Sequence, residues 1–176
     1  MGMTAEQERD FVKLNLGPTL HSRGHGNLKL MIVDGQRFLL PEWATTVLSD
    51  HDAAKFVSGI AVHWYTDFVT PADKLSKTHH IHPDYFILGT EACVGQLSLA
   101  GEKVKLGSWL RGQRYSNDIF KDLNNWVTGW VDWNLALDQG GGPNWAKNFV
   151  DSPIIVNATK DEFYKQPMFY HIGHFR

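Results

Sequence analysis

A single cysteine, Cys93, excludes any disulfide within this chain of 176 residues and leaves the redox compartment unread. No apolar run approaches the roughly 20 residues that a membrane-spanning helix needs. Charge of one sign is also scarce: the net charge is −2, so there is no electrostatic case for nucleic acid or an anionic membrane as partner. The first ten residues, Met1 to Asp10, are polar and acidic and do not form a signal peptide, which taken literally starts the chain in the cytosol. Asn157-Ala158-Thr159 points the other way, since a glycosylation sequon has meaning only on the secretory route. His79-His80-Ile81-His82 lacks a carboxylate or cysteine at ligand spacing, so it reads as a solvated loop; no metal or cofactor is expected.

What is present is apolar and aromatic. At 43% hydrophobic residues with seven tryptophans, the chain can bury a core and fits one domain over residues 1–176. Thr4-Ala5-Glu6-Gln7 is a capping box that opens a helix through Leu16, and Gly17-Pro18 is expected to end it. Strands are expected near Leu28–Gly35, Ile60–Tyr65, Phe86–Leu88 and Trp126–Asn134. Helical patterns separate them: Pro41 to Leu48, Asp50 to Val57, and a long amphipathic stretch from Leu106 to Leu123. Ile154–Val156 reads as a short extended piece and Phe163–Phe175 as a final helix interrupted near Pro167. Alternation of strand and helix argues for an α/β fold with a parallel sheet. Four such units are too few to close an eight-stranded barrel, so the pattern is that of half of one.

All four strands deliver polar residues at their C-terminal ends: Asp34, His63 to Tyr65, Glu91, and Asp132 to Asn134. Glu91 closes a buried strand, the position where a parallel β/α barrel carries its chemistry; a helix cap or a loop salt bridge is the plainer alternative. Retaining glycoside hydrolysis needs a second carboxyl group about 5–5.5 Å away, which Asp34 or Asp132 could supply. Both have the alternative of orienting Arg37 or Arg111 or capping loops. Trp64, Tyr65, Trp130 and Trp133 could wall a sugar site by stacking and hydrogen bonding. Packing is the simpler account of Trp130, whereas Trp133, between Asp132 and Asn134, reads as a site residue. Cys93 has no histidine at a spacing that would activate it and reads as a buried thiol.

At Thr90-Glu91-Ala92-Cys93-Val94-Gly95 the chain resembles the acid β-glucosidases (glucosylceramidases) of glycoside hydrolase family 30. Leu16 to Leu20, Gly59 to Tyr65, Leu106 to Trp109, Gly129 to Leu137, Gly141 to Trp145, Asn148 to Val156 and Phe163 to His171 resemble the same family. The resemblance implies a partial (β/α)8 TIM barrel, strands five to eight with their helices, and a retaining β-glucosidase. By position it implies Glu91 as the catalytic nucleophile. Trp133 and Asn148 match residues that hydrogen-bond glucose, Trp64 and Tyr65 line the pocket mouth, and Asp34 and Arg37 lie at the active-site end of strand five. It further implies glucosylceramide as substrate, an activator protein and acidic lipids as helpers, and a lysosomal site in sphingolipid metabolism.

The sequence departs from that family in three ways. The Asn-Glu pair that carries the family's acid/base occurs nowhere in it. Strands one to four and the flanking β-sandwich are expected to be absent, and the loop from Gln96 to Lys105 differs beside the mouth. Activity of the isolated chain is therefore in question, and exposed sheet edges suggest self-association. The alternatives are a non-catalytic module that binds glucoside or glycolipid, and a truncated gene product.

Overall fold

The computed structural model describes residues 2–95 and 102–175. The chain divides into two compact units, residues 1–90 with 121–130, and residues 91–120 with 131–176.

The first unit opens with α1 (Ala5–Phe11), where the expected capping box forms: Thr4 Oγ1 accepts from the Gln7 N–H, and the Gln7 side chain accepts from the Thr4 N–H. The helix does not end at Gly17-Pro18 as expected. It widens into a π-helical turn over Val12–Leu16 and continues as α2 (Gly17–Ser22). Pro18 lacks an N–H and its ring crowds the carbonyl four residues back, and the wider turn, closed by the Gly17 N–H on the Val12 carbonyl, accommodates it without a break. Four strands follow, β1 (Leu30–Gln36), β2 (Val57–His63), β3 (Phe86–Glu91) and β4 (Val127–Trp130), in the sheet order β1-β2-β3-β4. The β1–β2 and β3–β4 pairs are parallel. Helices α3 (Glu42–Leu48), α4 (His51–Ala54) and α5 (Asp73–Ile81) lie between strands in the chain, and α6 (Trp109–Leu123) runs up to β4. One cluster of Val12, Ile32, Leu40, Val47, Ile60, Val62, Leu75, Ile87 and Val127 forms the core, where sheet and helices bury their apolar faces.

In the second unit, β5 (Ala136–Asp138), β6 (Ile154–Asn157) and β7 (Glu162–Lys165) make a small sheet, parallel between β5 and β6 and antiparallel between β6 and β7. Ile154–Val156 is extended as expected. Phe163–Lys165 is not helical: it pairs with Ile154–Val156, and α7 (Pro167–Gly173) starts at the proline, whose fixed φ suits a first helical turn. β5 was not expected, because three residues leave too short an alternation to see. No helix among the described residues is long and apolar enough to cross a membrane.

Candidate active site

In the first unit, the end of β1 is bulged. The register steps from Ile32↔Ile60 to Gly35↔Val62, with Val33 and Asp34 at positive φ (77° and 38°), so β1 carries one extra residue and Asp34 is turned out to solvent. Its Oδ1 is bonded by His63 Nε2 at 3.0 Å and accepts from Thr90 Oγ1 at 2.8 Å. The His63 bond chiefly, with Thr90 assisting, holds the Asp34 carboxyl below its ordinary pKa and keeps it ionised. Its partners are His63 and Thr90 rather than the arginines the sequence suggested.

Arg37 is 2% exposed and sits between two carboxylates, Asp67 at 3.0 Å and Asp122 at 3.0 Å. Trp64 is likewise buried, edge-on to Trp130 with ring centroids 5.9 Å apart. Both side chains are committed to the interior of the unit. Tyr65, next along the chain, is half-buried, edge-on to the His63 ring at 6.2 Å. In the 79–82 run His79 stacks on Trp126, His80 is edge-on to both of those rings and its Nδ1 bonds the Ser76 carbonyl, and His82 Nε2 bonds Thr45 Oγ1.

In the second unit, Glu91 is the last residue of β3 and is partly exposed, while Ala92, Cys93 and Val94 behind it are buried. The Ala92 carbonyl accepts the Trp133 N–H at 2.8 Å, and the Val94 carbonyl accepts the Asp151 N–H at 2.8 Å. The loop after Glu91 is thereby tied to the segments that carry Trp133 and Asn148. Gly95 is required at the second tie. Its φ is +101°, and a Cβ there would lie 2.9 Å from the Asp151 nitrogen and 3.3 Å from Val150 Cα. Residues 96–101, and with them much of the 96–105 loop expected to differ beside the mouth, lie outside the described residues.

Trp133 is half exposed and Asn148 is exposed, which leaves an indole and a carboxamide open to solvent. Asn144 Oδ1 accepts the N–H groups of Ala146 (2.9 Å) and Asn148 (3.3 Å) and folds the loop that presents Asn148. Asp151 anchors that loop from below. It is fully buried, ion-paired to Arg111, and accepts from Gln166 Nε2 at 2.6 Å and from the N–H groups of Lys105 and Ser152. Sequence reasoning missed this anchor and also Tyr115, a lone tyrosine on α6 that is wholly buried and donates to Asp132 Oδ1 at 3.1 Å. The only signal for Tyr115 was a phenol on the apolar face of an amphipathic helix. Asn157 of the sequon is 3% exposed, and its Nδ2 donates to the Tyr164 hydroxyl at 2.8 Å.

The Glycosyl hydrolase family 30 TIM-barrel domain matches this chain over residues 1–176. The chain belongs to that family. It is 56% identical over 176 residues to the lysosomal acid glucosylceramidase of Mus musculus, covering 99% of this chain and 34% of that protein. Among solved structures, SrfJ from Salmonella typhimurium superposes with a TM-score of 0.86 at 29% identity, covering 98% of this chain and 37% of that one. An endo-beta1,6-glucanase superposes with a TM-score of 0.80 at 24% identity, a likeness of fold alone. The chain thus spans about a third of the length of the curated relatives it matches. Its parallel four-stranded sheet is part of the family's TIM barrel, as expected from the βα repeat.

Proposed function

We propose that this chain carries the nucleophile half of a retaining β-glucosidase site of glucosylceramidase type. Glu91 attacks the anomeric carbon and forms the glycosyl ester. Trp133 and Asn148 hydrogen-bond the glucose, and by the family resemblance Trp64, Tyr65, Asp34 and Arg37 are substrate-binding residues as well. The observation that carries this is the position of Glu91, a partly exposed carboxylate closing a strand of a parallel barrel sheet, with its following residue bonded to Trp133. The 56% identity to the mouse glucosylceramidase supports glucosylceramide as substrate, cleaved to glucose and ceramide in lysosomal sphingolipid turnover. An activator protein and an acidic lipid surface as partners follow from the family resemblance.

With no Asn-Glu acid/base pair in the sequence, the chain by itself is proposed to complete glycosylation but not deglycosylation. Pre-steady-state release of phenol from an activated aryl β-glucoside tests this, because such a leaving group needs little protonation. Wild-type chain is expected to release about one equivalent and stall, and Glu91→Gln to release none. Sustained turnover dependent on Glu91 would mean that a second carboxyl group acts within the chain. No release from either protein, with saturable glucoside binding, would favour a binding module.

A further inference from the structure

Asp132 follows β4 and precedes Trp133, and its two carboxyl oxygens have opposite surroundings. Oδ1 accepts from the Tyr115 phenol at 3.1 Å and from the Trp133 backbone N–H at 2.9 Å. The same N–H also donates to the Ala92 carbonyl at 2.8 Å, so one amide proton is shared between Asp132 and the residue next to Glu91. Oδ2 is buried and has no hydrogen-bond donor among the described residues. Half a negative charge on a buried oxygen without a donor is costly, whereas a proton on Oδ2 removes the charge and leaves Oδ1 free to accept both bonds.

We propose that Asp132 and Tyr115 are positioning residues that fix the Trp133 backbone against the Glu91 loop and so set how tightly and how well oriented a glucoside is held. The proposal rests on Glu91 as nucleophile and Trp133 as a sugar contact. Tyr115 is well suited to the task. It is wholly buried on α6, and its phenol remains protonated because burial pushes its pKa well up, Asp132 adding to the effect. Asp132 is pushed up to about 7, by burial first and by Asp151 in addition, against the two donors on Oδ1. Among the described residues, the titratable and charged groups around the pair are Cys93 on the loop after β3, Asp151 ahead of β6 with its partner Arg111 on α6, and Tyr170 on α7 and His174 beyond it, which line the same cavity as Asp132. Below neutrality the pair is phenol and carboxylic acid, and Trp133 is held. As Asp132 ionises, Oδ1 becomes the stronger acceptor and draws the shared Trp133 amide proton toward itself, so the tie to the Ala92 carbonyl loosens.

Two measurements on the whole chain test the proposal. The first follows the backbone amide resonance of Trp133 from about pH 5 to about pH 8.5. A transition with its midpoint near 7 is expected in the wild type and is expected to vanish in Asp132→Asn, which keeps the shape and the Oδ1 acceptor but cannot titrate. An unmoved Trp133 amide, or the same transition in Asp132→Asn, would overturn the proposal. The second follows ester formation on Glu91 by mass, using an activated 2-deoxy-2-fluoro-β-glucoside as probe. Tyr115→Phe is expected to raise the half-saturating probe concentration about tenfold with a smaller change in the saturating rate. Equal loss in both, or none, would count against positioning. If wild-type Glu91 takes no label at any pH, the nucleophile assignment fails, and the amide titration alone decides the role of Asp132.

Discussion

Asp132 also has a consequence for stability that is independent of substrate. Its folded pKa lies above that of the unfolded chain, so between about pH 4 and about pH 7 the folded state keeps a proton that the unfolded state has released. Stability contributed by this proton is therefore present at low pH and is lost as pH rises through that window, by on the order of 4 kcal/mol in all. Asp132→Asn removes the effect. Denaturant melts of mutant and wild type should differ progressively more, in the mutant's favour, from pH 5 to pH 7.5. A difference that stays constant with pH would show that Asp132 does not titrate there.

Among the elements, α1 is the one whose start is written most plainly. Its capping box satisfies two backbone donors that helix geometry leaves orphaned, and Glu8 then ties the helix to the Val33 N–H (3.0 Å) and to Trp43 Nε1 (2.5 Å). Thr4→Ala should cost about 1 kcal/mol in a urea melt with little change in the m-value. A loss below a few tenths would mean that α1 frays in solution in spite of its cap. The other end of the same helix was misjudged. Gly-Pro usually stops a helix, but a π turn just upstream absorbs the proline, and nothing local in Val12–Leu16 announces it.

For the whole molecule, β1 and β4 are the outer strands of a parallel sheet that in a closed barrel would have no edge. Trp109, Leu110, Leu135 and Trp145 are each about two-thirds exposed or more. Unpaired strand edges and large exposed apolar side chains favour association. Sedimentation velocity at increasing concentration should show weight-average mass rising above that of the 20.0 kDa monomer. Thermal unfolding is expected to be broad. A monodisperse monomer with a sharp, cooperative melt would contradict this.

The sequence by itself determined what depends on local pattern. Apolar runs ending in polar residues located four parallel strands, and the capping box and Pro41 located helix starts. The Thr90–Gly95 motif singled out Glu91 within its family. Only the tertiary structure decided what depends on partners far apart in the chain. Asp34 meets His63 and Thr90 because a one-residue bulge turns it outward, while Arg37 is buried between Asp67 and Asp122, thirty and eighty-five residues away. Phe163–Lys165 became a strand because Ile154–Val156 offered it a ladder of hydrogen bonds. Tyr115 and Asp132 became a pair because the fold buried both, and burial, which no residue type encodes alone, set the charge of the acid.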